Sequence, residues 1–156
     1  MKVLTLYLDT SVIGGCFDDE WKDATVELFR QASLGLYRLV ASVVTVREVQ
    51  GAPSEVRQHF VSTFAASAQI LELTAEAESL AQAYIAAGVV TPKYVDDARH
   101  VAIATVHELA VIVSWNFQHL ANLRREAGFN AVNLLQGYRQ VRILSPLELI
   151  HENDED

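Results

Sequence analysis

Four groups of polar residues in this chain carry oxygen atoms of the kind that divalent metal ions bind. They are Asp9, Glu48, the pair Asp96-Asp97, and Asn116, and each lies at the end of, or within, an apolar run. Like charges about 4 Å apart repel by roughly 4 kcal/mol at an effective dielectric constant near 20, so carboxylates gathered in one cleft need a counter-ion or raised pKa values. A divalent cation is the simplest counter-ion. The pattern therefore predicts one acidic, metal-holding pocket.

The first carboxylate gives the clearest indication of where such a pocket would lie. Asp9 directly follows Val3–Leu8, a run that predicts a buried strand, and Thr10 and Ser11 come next. In open parallel α/β sheets, ligands bind outside the carboxyl ends of the strands. We therefore expect Asp9 at the ligand-binding edge, with Thr10 or Ser11 near a phosphate or a metal-bound water.

The elements that position these residues alternate short β-branched runs with longer stretches of helical period. This alternation is typical of βαβ units and predicts an α/β fold with a parallel sheet of four to five strands. The predicted strands are Val3–Leu8, Arg38–Ala41, Ile70–Leu73, Ala110–Ser114 and Val141–Leu144.

Capping and breaking residues predict the helix limits. The first predicted helix is capped by Ser42, runs through Val49 and stops at Gly51, and the next has Pro53 in its first turn. A third runs from Thr74 to Ala87 and breaks at Gly88. The longest runs from Thr91-Pro92 to about Glu108.

Asp96 and Asp97 cannot both face the same pocket, because adjacent helical residues point about 100° apart. Asp97 lies in a row with the apolar Val101, whereas Asp96 shares its row with Arg99 and His100, which are candidate polar partners. We expect Asp97 to face inward and Asp96 to have a supporting role.

Each remaining candidate also has a structural interpretation. An isolated Glu48 would most often be a surface residue, and only the neighbouring carboxylates favour a metal ligand. Ser114 or Asn116 would also serve as the cap of a helix Phe117–Ala127. His100 is expected to be a hydrogen-bonding residue, because hard metal sites prefer oxygen.

Trp115 and Phe117 are candidates for stacking on a nucleobase, although aromatic residues beside a strand end more often belong to the core. Cys16 is the only cysteine and is expected to be inert.

Composition limits the class of protein. The chain has 156 residues, 51% of them hydrophobic and 21% charged, which predicts a single domain over residues 1–150 with an acidic tail at 151–156. A net charge of −8 argues against a broad basic nucleic-acid surface. No run of about 18 apolar residues occurs, so we expect no membrane span and a cytoplasmic location.

The order of these motifs resembles a PIN domain. The segments that carry the resemblance are Asp9-Thr10-Ser11, Glu48, Asp97-Ala98-Arg99-His100-Val101-Ala102 and Ser114-Trp115-Asn116-Phe117, and it extends through Asn133-Leu134-Leu135 and Ser145-Pro146-Leu147-Glu148. The similarity spans nearly the whole chain and is strongest to bacterial PIN proteins grouped with VapC toxins.

The resemblance implies a three-layer α/β/α fold and a Mg²⁺- or Mn²⁺-dependent ribonuclease. By carry-over, Asp9, Glu48 and Asp97 hold the metal, and Asn116 stands where many members have a fourth aspartate, with Asp96 as a substitute charge. The resemblance also implies an RNA substrate, a cognate antitoxin that covers the cleft, and a homodimer, for which the helices Val56–Ala68 and Leu80–Ala87 are candidate interfaces.

Two other functions were considered. A phosphatase of the haloacid-dehalogenase type needs a second aspartate two residues after the first, where this chain has Ser11, so that function is set aside. A PIN-like fold that has lost catalysis and serves as a binding module stays open, because Asn116 removes a negative charge from the site.

Overall fold

The computed structural model describes residues 2–151, so the predicted tail beyond His151 lies outside the described residues. The strands are β1 (Leu4–Leu8), β2 (Tyr37–Ser42), β3 (Ile70–Leu71), β4 (Val111–Val113) and β5 (Arg142–Leu144). The helices are α1 (Thr10–Gly15), α2 (Lys22–Ser33), α3 (Val43–Val49), α4 (Ser54–Thr63), α5 (Ala75–Ala86), α6 (Val95–Val106), α7 (Leu123–Leu135) and α8 (Pro146–Leu149). Short 3₁₀ turns at Ser67–Gln69 and Pro92–Tyr94 precede β3 and α6.

The five strands form one sheet in the order β3-β2-β1-β4-β5, and every neighbouring pair is parallel. Each strand forms at one of the five predicted runs. The predicted α/β fold with a parallel central sheet is therefore confirmed.

Helices cover both faces of this sheet, and the alternation of side chains along the strands shows why. In β1, Leu6 and Leu8 pack with Leu28 of α2 and Phe60 of α4, whereas Tyr7 points to the opposite face and packs with Val101 of α6. Successive strand residues point to opposite faces, so an uninterrupted apolar strand requires a helical layer on each side. The three-layer α/β/α arrangement is confirmed.

The chain changes direction across the sheet between β1 and β4. From β1 it proceeds through β2 to β3 at one edge, then crosses to β4 on the other side of β1. This is a topological switch point, where a crevice forms outside the carboxyl ends of the strands. Asp9 ends β1 there, and its backbone N–H donates to the carbonyl of Val113 at the end of β4 over 3.2 Å.

Several predicted helix limits are wrong, the largest error being the five residues by which the predicted helix Val56–Ala68 overshoots the end of α4. Pro53 is the N-cap of α4 instead of lying in its first turn, and α4 ends at Thr63. The helix expected from Thr91-Pro92 begins as the 3₁₀ turn and becomes α-helical only at Val95. It has 12 residues, and α7 is longer, with 13.

The predicted helix Phe117–Ala127 is also wrong. Residues 116–121 form a tight turn in which the Asn116 carbonyl accepts from Leu120 and Ala121, and α7 begins only at Leu123. Asn122 caps α7 by accepting from Arg125, while its amide donates to the Phe117 carbonyl. The side chains of Asn116 and Asn122 form hydrogen bonds with backbone groups of this segment, and these bonds compete with those of a helix that would start at Phe117.

No helix within residues 2–151 is long and apolar enough to cross a bilayer.

Candidate metal centre

Asp9 is held at the switch point by a dense set of hydrogen bonds. It caps α1, and its Oδ1 accepts from Ser11 Oγ at 2.6 Å and from the Val12 N–H at 3.3 Å. Its Oδ2 accepts from Ser114 Oγ at the end of β4. The residue is only 4% exposed. Burial raises the pKa of Asp9, and the charge of His100 with the Ser11 and Ser114 hydroxyls partly opposes that rise.

Glu48 approaches from the neighbouring strand–helix unit. Ser42 ends β2 and caps α3, and Glu48 lies in the last turn of that short helix. Its Oε1 accepts from Thr10 Oγ1 at 2.9 Å and contacts His100 Nε2 at 2.6 Å. Thr10 therefore bridges the ends of β1 and α3.

His100 lies beneath the carboxylates and is 2% exposed. Its Nδ1 is 2.6 Å from the Tyr7 hydroxyl, which donates to Ser42 Oγ at 2.8 Å. With the Tyr7 hydroxyl donating to Ser42, both ring nitrogens of His100 face oxygen acceptors, the Tyr7 hydroxyl and Glu48 Oε1. This arrangement favours the protonated ring.

The charges of this pair agree with that assignment. Burial alone would lower the pKa of His100, but the hydrogen bond and charge of Glu48, with the charges of Asp9 and Asp97, raise it. Burial likewise opposes ionisation of Glu48, but the His100 contact outweighs it and lowers the Glu48 pKa. Glu48 thus already has a counter-charge inside the fold.

Asp97 differs from the other two carboxylates. Burial raises its pKa to about 6, and the charges of Asp9, Glu48 and Asp96 add to that rise while His100 opposes it. No hydrogen bond to its carboxylate is found among residues 2–151. Asp97 is therefore near the other acids and lacks a partner of its own.

The neighbouring carboxylate, that of Asp96, is paired with arginine side chains. It forms an ion pair with Arg47 of α3 and another with Arg99, at 3.0 Å, one turn along α6. The expectation that His100 partners Asp96 is wrong, because the imidazole turns inward to Glu48.

The residues after β4 reach the site through Ser114. Ser114 Oγ donates to Asp9 and accepts from the Asn116 N–H at 2.9 Å. The Asn116 side-chain oxygen accepts from the His119 N–H at 3.0 Å. Asn116 is thus linked to Asp9 through its backbone, while its side chain caps the turn at 116–121.

The buried chain of hydrogen bonds from Glu48 through His100 and Tyr7 to Ser42 was not predicted from the sequence. The signal available was Tyr7, a polar aromatic residue in an otherwise apolar strand, on the sheet face that packs against α6. A buried tyrosine hydroxyl usually finds a partner.

The donor chemistry fits a hard divalent cation. Three acidic side chains and one imidazole meet at the switch point, so acidic groups outnumber the basic one. Within residues 2–151, however, no three His, Cys, Asp or Glu side chains are arranged as a group that could hold a metal ion. Mg²⁺ is usually bound through one or two carboxylates, with water and substrate phosphate as its other ligands. The site therefore suits an ion of that kind and is not a closed protein cage.

Comparison with known proteins identifies the fold. No protein-family model and no curated protein matches the chain. A structure of FitAB bound to an IR36 DNA fragment matches with a TM-score of 0.58 and 18% identity over 95% of this chain and 99% of that chain. A structure of FitAcB from Neisseria gonorrhoeae matches with a TM-score of 0.52 and 16% identity over 92% and 99%. The fold is PIN-like. At this level of identity the likeness concerns the PIN-like fold alone.

Proposed function

We propose that this protein is a Mg²⁺- or Mn²⁺-dependent ribonuclease that hydrolyses RNA phosphodiester bonds. The observation that carries the proposal is the site at the switch point, where Asp9, Glu48 and Asp97 lie close enough for their charges to act on one another, and where no hydrogen bond to the Asp97 carboxylate is found among residues 2–151. The PIN-like fold and the order of the sequence motifs support the same conclusion.

In this mechanism Asp9 and Asp97 would hold the ion, and Glu48 would contribute from the adjacent helix. A bound ion would activate water and offset the charge of the substrate phosphate. Ser11 and Ser114 fix the rotamer of Asp9, and Thr10 and His100 fix Glu48. The imidazolium of His100 limits the repulsion among the carboxylates before an ion binds. Asn116 orients Ser114 through its backbone N–H.

We propose further that the protein is the toxin of a type II toxin–antitoxin pair. The fold likeness to FitAcB and to FitAB bound to DNA supports a partner of this kind. The net charge of −8 suits an antitoxin that extends basic residues into the cleft. A homodimer and a cytoplasmic location stay predictions. Of the two proposed interface helices, α5 buries Leu80, Ala81 and Tyr84 in the core, whereas α4 leaves Val61 68% exposed.

The test compares wild type with Asp9→Asn and Asp97→Asn, using Asp96→Asn as a matched control. Asp96 is adjacent to Asp97 in the same helical turn, but its carboxylate pairs with arginines. Mn²⁺ binding is measured by calorimetry, and cleavage of a structured RNA pool is measured with and without the ion. We expect Asp9→Asn and Asp97→Asn to lose both properties and Asp96→Asn to keep both. Metal binding that survives in Asp97→Asn would contradict the assigned site.

One specific observation favours a second candidate function, a PIN-like binding module without catalysis. Both oxygens of Asp9 are already hydrogen-bonded, and the Asn116 side chain is used as a cap. A binding module would neither bind Mn²⁺ at Asp9 and Asp97 nor cleave RNA in its presence. The same measurements therefore separate the two functions.

A further inference from the structure

An aromatic pair lies beside the carboxylates and takes no part in their hydrogen bonds. The rings of Tyr94 and His119 stack with centroids 3.8 Å apart and an interplanar angle of 27°. Tyr94 ends the 3₁₀ turn before α6, and His119 lies in the turn at 116–121. Both side chains are partly exposed.

The spacing of this pair ties it to the site. Tyr94 is the N-cap of α6, and Asp97 lies in the first turn of the same helix. His119 follows Asn116 by three residues, and its N–H bonds to the Asn116 side chain. The stacked rings therefore join the two segments that flank the carboxyl edge of the sheet.

The His119 ring itself is an exception to ordinary packing. Among residues 2–151, its Nδ1 is the one buried side-chain nitrogen or oxygen atom without a hydrogen-bond partner. Such an atom in a folded protein calls for an explanation. The His119 ring therefore contacts Tyr94 by stacking and forms no hydrogen bond through Nδ1 within the described residues.

The charges around the cleft favour approach of a polyanion from the side of this pair. Lys93 Nζ lies 5.6 Å from the centre of the Tyr94 ring and its residue is exposed. Elsewhere, the Trp21 ring stacks on Trp115 after β4, and the segment around Trp21 carries Asp18, Asp19, Glu20 and Asp23. A phosphate chain is attracted to the lysine and repelled by the acidic segment.

We infer that Tyr94 and His119 form a stacking platform for one base of an unpaired RNA segment, with Lys93 contacting a neighbouring phosphate. The inference rests on the proposed nuclease function and names the side chains that would hold an unpaired base. Aromatic side chains stack on splayed-out bases of any sequence, whereas the bases of a duplex offer no free face inside the helix. The platform places such a base next to the carboxylates.

The test measures binding of a short fluorescein-labelled single-stranded RNA, and of the same sequence as a duplex, in a chelator that prevents cleavage. Tyr94→Leu keeps an apolar side chain but removes the ring. We expect it to weaken single-strand binding about tenfold. Tyr138→Leu is the matched control, since Tyr138 is also partly exposed but precedes β5 at the opposite edge of the sheet. It should bind like wild type.

An abasic scan sharpens this result. An RNA that lacks the stacked base should bind wild type about tenfold more weakly than the intact RNA. Tyr94→Leu should bind both RNAs equally. Because Tyr94 also packs against the core, thermal unfolding of each variant is compared, and His119→Leu removes the other ring as a second variant. Equal binding by wild type and both folded variants, or equal binding of duplex and single strand, overturns the platform.

Cleavage in Mn²⁺ separates the two proposals. If wild type cleaves and Tyr94→Leu cleaves and binds equally well, the nuclease stands and the platform is wrong. If wild type binds unpaired RNA through Tyr94 but never cleaves, the platform stands and the nuclease is wrong. If wild type binds no RNA, both are wrong.

Discussion

Two histidines in this protein are mostly enclosed by the fold, and their pKa values move in opposite directions. His100 lies under the carboxylates, bonded to Glu48, and its pKa is raised despite its burial. His59 contacts the Cys16 thiol at 3.5 Å and lies against the rings of Phe17 and Phe29, and burial lowers its pKa. Burial is common to both, so the difference comes from the charged neighbours.

The contrast shows what the carboxylates require before any ion binds. Around His59 burial acts alone: it lowers the pKa of the imidazole and raises that of Cys16 to about 11, so it favours the neutral form of both groups. Around His100 the carboxylates favour the charged form of a buried imidazole. The fold thus places one basic group among three acidic ones, an imbalance that a divalent cation would offset.

The largest expected effect comes from removing each histidine in turn. His100→Leu leaves Glu48 without its counter-charge and removes one of the two hydrogen bonds of the Tyr7 hydroxyl, and we expect a loss of about 3 kcal/mol in the free energy of unfolding. His59→Leu removes only a neutral ring and should change it by about 1 kcal/mol or less. Urea unfolding of the two variants measures both values.

A second substitution tests the origin of that loss. Glu48→Gln in the His100→Leu background should recover part of the stability, because it removes the unpaired charge. Equal losses for His100→Leu and His59→Leu would show that the Glu48–His100 pair contributes no special stability.

Asp97→Asn tests the acid of the site whose carboxylate accepts no hydrogen bond among residues 2–151. The pKa of Asp97 in the fold, about 6, lies above its ordinary value of 3.8, so ionisation disfavours the folded state. The penalty is absent below about pH 4 and complete above about pH 6. After a discount for solvent screening, we expect metal-free Asp97→Asn to be about 1 kcal/mol more stable than wild type at pH 7.

Thermal unfolding across pH 4 to 8 measures this difference, with Asp96→Asn as the control. That variant loses ion pairs with Arg47 and Arg99 and should gain no stability. Mn²⁺ should stabilise wild type and leave Asp97→Asn unchanged. A destabilised Asp97→Asn in metal-free buffer would mean that Asp97 has a partner after all.

The elements that carry the site were accessible from the sequence because each depends on local chemistry. Val3–Leu8 predicts a strand from its side chains alone, and Ser42 and Thr74 are capping residues whose bonds form within one turn. Parallel strands bring their carboxyl ends to one edge, which was enough to place Asp9 and Ser114 together.

The remaining features depend on long-range contacts that no local pattern encodes. Tyr7 and His100 are 93 residues apart in the chain, and only the packing of α6 on β1 brings them together. The delayed start of α7 follows from a competition between the side chains of Asn116 and Asn122 for backbone partners, and helix periodicity does not contain that competition.

The smallest effect is the titration of the two imidazoles in the intact, metal-free protein. His100 should titrate above its ordinary 6.5 and His59 below it. The contribution of His100 to stability is complete below about pH 6.5 and is lost as the pH rises through its raised pKa. That of His59 is present above about pH 6.5 and is lost as the pH falls through its lowered pKa. Nitrogen-15 spectra of the rings, assigned with the two leucine variants, measure both titrations. If His100 titrated below 6.5, the carboxylates would not be favouring its charged form, and the fold would supply no counter-charge to them before an ion binds.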